Sequence, residues 1–402
     1  MKNILFLTLS NVSNIDESGI YQDLLREFSR KGHTVFVVSP TERRNQEKTH
    51  LIKKDNANIL RVKTGNIQKT NLIEKGIATI LLEKQYVSAI KKYFSDVKFD
   101  LVLYSTPPIT LVGAVWYVKK RDDAITYLLL KDIFPQNAVD IGMMSKRGIK
   151  GLLYKYFRRK EKKLYSLSDR IGCMSEANVE YVLNNNPGIS PEKVEVCPNS
   201  IEIRDVSISQ QERIVIRQRY GIPQDKKVFV YGGNLGKPQG IPFLIECLES
   251  QKNSKDSFFL IVGDGTEYPK LKKYFDENNI ENSLLLKRLP KEDYDNMIAA
   301  CDVGLIFLDH RFTIPNFPSR LLSYMQAKLP VLACTDPNTD IGEVIVNGGF
   351  GWWCESNNAK AFSDIISKIS DTQIKKCGER AFEYLEEHYT SEISYKIITK
   401  DS

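Results

Sequence analysis

Two segments near the middle of the chain decide the fold: Ser168-Asp169-Arg170-Ile171-Gly172-Cys173-Met174-Ser175-Glu176-Ala177-Asn178 and Pro191-Glu192-Lys193-Val194-Glu195-Val196-Cys197-Pro198-Asn199-Ser200. Each contains a short run of apolar and β-branched residues, which is typical of a buried strand. The first run leads into a helical pattern, and the second ends at Pro198-Asn199-Ser200, where a regular element stops. The sequence therefore predicts a strand, a helix and a strand that lead into a domain boundary.

The same alternation of apolar strands and amphipathic helices continues on both sides of this boundary. Strands that are apolar throughout and separated by helices indicate parallel sheets covered on both faces. Two such series predict two Rossmann-like domains. The predicted strands are 3–9, 34–39, 101–105, 125–130, 170–174 and 194–197 in the first series, and 228–233, 258–263, 284–287, 303–308, 330–334 and 350–353 in the second.

The domain boundary is visible as a change in composition. Charged, Ser and Gln residues dominate Ile201–Gln218, before a new first strand begins. We place the linker at about 200–208 and the domains at 1–204 and 205–402. A helix over about 373–399 carries aromatic residues and is expected to pack back toward the first domain.

The composition is that of a soluble globular protein, with 42% apolar and 27% charged residues among 402. No run approaches the roughly 18 apolar residues of a membrane span, and Asn3–Leu9 is better interpreted as a buried strand than as a secretory signal. The seven cysteines form no C-x-x-C pair, and the four histidines show no metal-ligand spacing. We expect reduced thiols, a cytoplasmic location and no protein-bound metal.

Several motifs, in the correct order over most of the chain, resemble the retaining GT-B glycosyltransferases of family 4, also called glycosyltransferase group 1. The two segments quoted above resemble the end of that family's first domain, with Ser200 in place of the usual Gly. The second-domain motifs are Val228–Gly240, Ile261–Gly265, Asn296–Val303 and Asp340–Gly349. The resemblance implies a GT-B fold with two domains facing across a cleft, a nucleoside diphosphate sugar as donor, retention of configuration and independence from a metal ion.

The glycines after the strand 228–233 are candidates for donor binding. Gly232, Gly233 and Gly236 allow a backbone to approach a ligand closely. At the C-terminal edge of a parallel sheet this is where a nucleotide diphosphate binds. The glycines are equally compatible with a role in the turn alone.

The helix that usually binds the donor departs from the family pattern. Pro315 and Ser323 stand where the family has two glutamates, of which the first grips the donor sugar and the second binds the ribose hydroxyls. Neither role transfers, although Ser323 retains one possible hydrogen bond to the ribose. Instead, Pro318 suits the first helical position, Ser319 offers a hydroxyl and Arg320 a bidentate guanidinium for the diphosphate. The alternative makes Arg320 a solvated surface residue.

A second departure removes the family's usual Arg and Lys, which neutralise the diphosphate and which align with Asn234 and Gln239 here. A replacement cation is needed to expel a nucleoside diphosphate, and Lys237 and Arg320 are the candidates. The expected donor-binding residues are Gly233, Asn234, Gly263, Arg288, Leu289, Asn316, Phe317, Ser319 and Ser323.

On the acceptor side, Lys131 and Asp132 follow the wholly apolar strand 125–130. The segment resembles one found in family members that build bacterial surface polysaccharides. Charge at this end of a buried parallel strand faces the expected cleft, so Asp132 is a candidate catalytic carboxylate or acceptor anchor. The alternative is a helix N-cap before Phe134-Pro135. Gly19, in the turn after the first strand, lies where family members open the acceptor side.

Positive charge is concentrated in the first half of the chain. Residues 1–200 carry a formal charge of +11 and the remainder −4. Within 146–163, nine basic residues accompany one acid, Glu161, and apolar residues recur at helical spacing. The helix 146–165 is thus a candidate for binding an anionic membrane surface, and the alternative is a solvated basic face over an ordinary core stripe. No nucleic-acid reader motif accompanies it.

These observations favour a transferase that moves a UDP-linked sugar, such as an N-acetylated amino sugar, onto a polyprenyl-diphosphate-linked saccharide. The setting implied by the resemblance is capsule or O-antigen assembly at the inner face of a bacterial membrane, without a cofactor. Two alternatives stay open: a non-catalytic GT-B subunit that binds a sugar or partner, and a GT-B nucleotide-sugar epimerase.

Overall fold

The computed structural model describes residues 1–54, 57–67, 72–278 and 280–400. The chain forms two compact units. Unit 1 comprises Met1–Glu202 together with Ser391–Ser402, and unit 2 comprises Ile203–Thr390.

Unit 1 is built on a sheet in the order β3-β4-β2-β1-β5-β6-β7-β8. All neighbouring strands are parallel except the edge strand β3, which runs antiparallel to β4. The strands are β1 (Asn3–Leu7), β2 (Thr34–Glu42), β3 (His50–Lys54), β4 (Ala57–Thr64), β5 (Leu101–Ser105), β6 (Ile125–Leu130), β7 (Arg170–Cys173) and β8 (Val194–Val196).

Helices cover both faces of this sheet because successive strand residues point to opposite sides. In β1, Leu5 and Leu7 join one core, whereas Ile4 and Phe6 join the other. The helices are α1 (Ile20–Arg30), α2 (Leu72–Tyr93), α3 (Val112–Asp122), α4 (Gln136–Asp140), α5 (Gly148–Leu167), α6 (Glu176–Asn185) and, numbered in chain order, α15 (Ser391–Thr399).

Unit 2 has a wholly parallel sheet in the order β11-β10-β9-β12-β13-β14. Its strands are β9 (Lys227–Asn234), β10 (Ser257–Asp264), β11 (Ser283–Leu286), β12 (Val303–Phe307), β13 (Val331–Thr335) and β14 (Gly351–Glu355). Its helices are α7 (Gln210–Tyr220), α8 (Ile241–Gln251), α9 (Tyr268–Glu277), α10 (Lys291–Ala299), α11 (Arg320–Gln326), α12 (Ile341–Asn347), α13 (Ala359–Ile366) and α14 (Asp371–His388).

The predicted fold class, two parallel-sheet α/β units, is confirmed. Two local predictions need correction. The hairpin of β3 and β4 was not expected from the sequence, and the single helix over about 373–399 is two helices, α14 and α15. The break falls at Tyr389-Thr390, and α14 belongs to unit 2 whereas α15 belongs to unit 1.

Two further expectations concern the state of the cysteines and the presence of a membrane-spanning helix. Six cysteines are buried, Cys377 is half-buried, and all seven are free thiols. In the part of the chain that the structure describes, no helix combines the length and the apolar character that crossing a bilayer requires.

Candidate active site

In unit 2, the predicted donor-binding residues gather at one edge of the sheet. Since the strands of the sheet are parallel, their C-terminal ends share that edge, and the segments 233–240, 264–267, 308–319 and 336–340 lie there. This edge is the usual ligand-binding side of an open parallel sheet.

Arg320 lies beside the glycine turn that follows β9. Its guanidinium sits over the Tyr231 ring, 4.4 Å from the ring centroid. A Cβ atom added to Gly233, whose φ is +130°, would lie 3.4 Å from the guanidinium carbon. The Nη1 atom of Arg320 is buried and has no hydrogen-bond partner. A fixed guanidinium with unused N–H groups next to an exposed glycine turn is suited to bind phosphate oxygens.

Tyrosines hold this arrangement in place. The Tyr324 hydroxyl accepts a hydrogen bond from the Gly232 amide at 3.2 Å and donates one to the Leu305 carbonyl at 3.1 Å. The Tyr231 hydroxyl donates to the Asn234 carbonyl at 2.8 Å. Burial raises the pKa of Tyr324 to about 12, so its phenol stays neutral. The sequence reasoning missed these tyrosines, although Tyr324 follows Arg320 at the four-residue spacing that places both on one helix face.

The turn 234–240 is shaped by the two residues that replace the family's Arg and Lys. The Gln239 side-chain oxygen accepts hydrogen bonds from the Asn234 side chain and from the Gly236 amide, both at 3.1 Å. Lys237 is exposed at the tip of this turn. The hydrogen bonds of Asn234 and Gln239 therefore hold the backbone of the turn in place. The Lys237 ammonium is the cation that remains accessible in this turn.

Gly263 has a packing role that explains its lack of a side chain. A Cβ atom there would lie 2.0 Å from the Gly233 carbonyl oxygen, a distance that no side chain tolerates. Gly263 thus permits β9 and β10 to end side by side at the donor edge.

The segment that enters α11 differs in detail from the prediction. α11 begins at Arg320 with Ser319 as its N-cap, so the placement of Pro318 at the first helical position is wrong. The Asn316 side-chain nitrogen is buried without a partner among the described residues. The backbone carbonyl of Asn316 accepts a 2.6 Å hydrogen bond from the Thr339 hydroxyl. The other candidates of unit 2 lie as follows: Phe317 contacts the Tyr389 ring, Ser319 and Arg288 are exposed, and Ser323, Leu289 and Pro318 are half-buried.

Asp336, just after β13, is a further polar group at this edge that the donor prediction omitted. One carboxylate oxygen accepts a 2.9 Å hydrogen bond from the Asn338 amide, and the other is buried without a partner. Burial raises the pKa of Asp336 to about 6. Motif comparison indicated the loop but not which carboxylate would be enclosed.

In unit 1, the structure shows how Asp132 is held after β6. Both carboxylate oxygens accept hydrogen bonds from the Asn137 side-chain amide, at 2.7 and 2.8 Å. The next helix, α4, has Pro135 at its N-cap and no side-chain cap, so the helix-cap alternative for Asp132 is wrong. Burial raises the pKa of Asp132 to about 6, although the hydrogen bond from Asn137 opposes this shift. Asp132 is therefore a carboxylate whose charge changes close to neutral pH.

The remaining acceptor-side candidates are Lys131, next to Asp132, and Gly19, next to Ile20 of α1; Ile20 and Lys131 line one small cavity. The Lys131 ammonium donates to the Cys197 carbonyl at 3.3 Å, and burial lowers its pKa. Gly19 precedes α1 in extended backbone, and a Cβ atom there would contact the Gln22 side chain. Both residues lie near C-terminal ends of the unit 1 strands.

Each of the two units matches a known protein family. Residues 21–205 match Glycosyltransferase Family 4, and residues 212–383 match Glycosyl transferases group 1. The chain belongs to the family 4 glycosyltransferases. The fold of this glycosyltransferase is accordingly the GT-B class that the motifs implied.

Two curated relatives illustrate the family. The probable glycosyltransferase WbjE of Pseudomonas aeruginosa is 28% identical over 329 residues, which cover 81% of this chain and 79% of the relative. The UDP-Gal:alpha-D-GlcNAc-diphosphoundecaprenol alpha-1,3-galactosyltransferase of Escherichia coli is 23% identical over 192 residues, or 46% of this chain and 47% of the relative.

Solved structures share the fold at low sequence identity. Sucrose-phosphate synthase from Thermosynechococcus elongatus has a TM-score of 0.78 at 14% identity, covering 100% of this chain and 98% of that chain. HepE of Anabaena, in complex with UDP and glucose, has a TM-score of 0.70 at 16% identity, covering 100% and 99%. The glycosyltransferase thus shares its fold with both solved structures.

Proposed function

We propose that this glycosyltransferase transfers a sugar from a UDP-sugar, with retention and without a metal ion, to a lipid-linked saccharide. The reaction would serve the assembly of a bacterial surface polysaccharide of the capsule or O-antigen type. The observation that carries the proposal is the Arg320 guanidinium beside Gly233, with a buried Nη1 atom that has no partner.

Arg320 would supply the charge that donor cleavage requires. Negative charge develops on the diphosphate as the bond to the sugar breaks, and a fixed cation stabilises it most where the group is already oriented. The Tyr231 ring orients the guanidinium without neutralising it. In same-face transfer the departing phosphate oxygen accepts the proton of the acceptor hydroxyl, so this chain need not provide a separate base.

The nature of the acceptor is supported by chemistry on unit 1 and by the named relative. The Escherichia coli relative is named for a UDP-sugar donor and a diphosphoundecaprenol-linked acceptor. Asp132, held by Asn137 and partly buried, is suited to orient an acceptor hydroxyl. We assign it to that role.

The surface of helix α5 supports the proposal that the protein associates with the inner face of the cell membrane. Ile149, Leu152, Leu153 and Tyr156 are exposed, with exposed fractions from 39% to 88%. Seven basic residues beside them are also exposed: Lys146, Arg147, Lys150, Lys155, Arg159, Lys162 and Lys163. Apolar side chains that reach solvent among cations are typical of a helix that lies in a lipid interface.

The deciding experiment measures UDP release from UDP-sugars, including UDP-N-acetylhexosamines, with and without a lipid-linked saccharide. Release that depends on the acceptor, together with a product whose new linkage keeps the donor's anomeric configuration, is the expected result. UDP binding without release in any combination would instead favour a non-catalytic subunit. Conversion of the UDP-sugar without an acceptor would favour an epimerase.

A further inference from the structure

Arg61 is a buried cation in unit 1 that the proposed reaction has not used. It lies on β4 next to Ser39 of β2 and is 4% exposed. Its Nη1 atom donates to the Val12 carbonyl at 3.1 Å and to the Ser39 hydroxyl at 2.8 Å. The Ser39 hydroxyl in turn donates to the same Val12 carbonyl at 2.8 Å. These bonds fix Arg61 under the segment that joins β1 to α1.

The rest of the guanidinium has no partner among the described residues. Within the part of the chain that the structure describes, neither Nε nor Nη2 makes a hydrogen bond, and no carboxylate oxygen lies within 4.0 Å of the guanidinium nitrogens. Glu47 and Glu17 interact with the Arg61 charge only electrostatically at longer range, without a hydrogen bond or an ion pair. The Nε–H and Nη2–H groups point in parallel from one edge of the guanidinium, which is the edge that binds two oxygens of one anion.

Arg217, the other buried arginine among the described residues, has a carboxylate partner. Arg217 is 2% exposed, and its Nη2 atom bonds the Asp302 carboxylate at 2.7 Å. Its Nε and Nη1 atoms donate to the backbone carbonyls of Ala300 and Pro223, both at 2.9 Å. Arg61 has no such carboxylate partner among the described residues, and its Nε–H and Nη2–H edge is left free to bind an anion.

We propose that Arg61 binds a phosphate group of the diphosphate-linked acceptor through its Nε and Nη2 atoms. The location agrees with this ligand, because Arg61 lies on the same sheet as Asp132, which the proposed function assigns to the acceptor hydroxyl. From Arg61 on β4 to Asp132 after β6 there are four strand spacings of about 4.8 Å, or roughly 19 Å. That span accommodates a short saccharide between its diphosphate and its reacting end. The inference rests on the proposed function for the identity of the acceptor.

The first test compares acceptors with and without the diphosphate. One acceptor is a saccharide on a short isoprenoid diphosphate, and the other is the same saccharide as a neutral alkyl glycoside. We expect R61Q to raise the KM for the diphosphate acceptor by about 10- to 100-fold, the scale of a hydrogen bond to a charged group, and to leave the glycoside unchanged. R61K, which keeps the charge, should restore part of the loss.

A control variant separates anion binding from support of the β1–α1 segment. S39A removes a hydroxyl that bonds both Arg61 and Val12 but keeps the guanidinium. If S39A reproduces the acceptor-specific loss, or if R61Q impairs both acceptors equally, Arg61 only supports the segment and the proposal is wrong. A loss confined to a glycoside that carries a uronic acid would assign the site to a sugar carboxylate and overturn the diphosphate assignment.

The second test needs no catalysis. Calorimetry with inorganic pyrophosphate is performed on the full-length R320Q protein, in which the donor cation is removed, and on R320Q/R61Q. We expect binding to R320Q that the second substitution abolishes. Equal binding of pyrophosphate to both proteins would overturn the anion site. If R61Q abolishes pyrophosphate binding but the unchanged protein transfers no sugar, the anion site stands and only the proposed function is refuted.

Discussion

At the scale of single residues, Arg320 carries the clearest functional prediction. It has no carboxylate partner among the described residues, and its charge lies beside the exposed Gly233 turn. We expect R320A to lower kcat by about 10²-fold or more, the effect of removing one preorganised charge-stabilising group. Steady-state assays of UDP release measure this directly.

Two further variants calibrate that result. K237A should be impaired more mildly, because the exposed Lys237 side chain is not preorganised. K270A, which removes an exposed cation from α9, should behave as the unchanged protein. Normal kinetics in a correctly folded R320A protein would refute the assignment of Arg320 to the diphosphate.

Asp132 predicts a specific pH dependence. Burial raises its pKa to about 6, so the carboxylate loses its charge as the pH falls through that value. If the ionised form orients the acceptor, kcat should decrease on the acid side of about pH 6. D132N should lower kcat, remove this acid limb and leave UDP affinity nearly intact.

The same shift has a consequence for stability. A carboxyl group whose pKa is higher in the folded than in the unfolded chain favours folding when protonated, and this contribution is lost as the pH rises from about 4 through about 6. D132N should therefore be no less stable than the unchanged protein at pH 7, which chemical denaturation can measure. A marked loss of stability would show a structural role for the carboxylate.

Only some residues of the candidate site could be predicted from the sequence. The glycine turn and Arg320 are recognisable because each directly adjoins a strand end or a helix start in the chain. The Asn137 amide on Asp132, the tyrosines around Arg320 and the isolated charge of Arg61 depend on packing between elements. No local pattern encodes such contacts.

At the scale of elements, α5 separates into two parts. Its second half packs inward through Leu164 and Tyr165, whereas four apolar residues of its first half are exposed: Ile149, Leu152, Leu153 and Tyr156. Arg158 is also structural, because it forms a 2.6 Å ion pair with Glu161 and bonds the Asn185 carbonyl. Helical spacing predicted one continuous stripe and could not indicate where burial ends.

The exposed cations of α5 allow a charge-neutralisation test on intact protein and anionic liposomes. We expect R159Q/K162Q/K163Q to weaken sedimentation with the liposomes strongly, since each basic residue near an anionic surface contributes about 1 kcal/mol. Binding of the unchanged protein should weaken with salt, because the Debye length falls to about 3 Å at 1 M. Activity on a short water-soluble acceptor should persist.

A matched variant in unit 2 controls for net charge. K270Q/K375Q/K376Q removes the same number of exposed cations from α9 and α14. If this variant loses liposome binding to the same extent as the α5 variant, the attraction is general and α5 is not the docking element.

The β3–β4 hairpin contains two strands that escaped prediction. Apolar residues in β3 are limited to Leu51 and Ile52, and β3 pairs only with β4 at the sheet edge. Its strand character comes from that pairing and not from a strong apolar run. The parallel strands that were predicted were located to within three residues at each end, whereas β4, which is parallel to β2 and largely buried, was missed together with β3.

At the scale of the whole molecule, unit 1 is completed by a segment distant in the chain. Tyr395 of α15 packs its ring 4.9 Å from Phe28 of α1, and its hydroxyl is 2.9 Å from the His33 imidazole. The sequence indicated a helix returning to the first domain but not that the return begins only after Thr390.

Substitution of Tyr395 should destabilise unit 1 selectively. We expect Y395A to cost about 2–3 kcal/mol, less than full removal of a buried aromatic ring, and Y395F about 1 kcal/mol for the lost hydrogen bond. Denaturant unfolding with separate probes in the two units measures this, because a chain of two units need not unfold in one step. An equal shift in both transitions would contradict the selective effect.

His33 adds a pH dependence to that contact. Burial lowers the pKa of His33, so protonation favours the unfolded chain and the stability of unit 1 should decline as the pH falls below about 6.5. The decline should be smaller in Y395A if packing of α15 is what buries the imidazole.

The discontinuity of unit 1 also sets an order of events during synthesis on the ribosome. Residues 1–202 emerge before unit 2, but the helix that covers Phe28 follows it, after Thr390. Throughout translation of the intervening 188 residues, the α1 surface that α15 later covers stays open to solvent or to a chaperone. Nascent chains arrested before Ser391 should therefore expose this apolar surface, and only chains that have also synthesised the donor unit can close it.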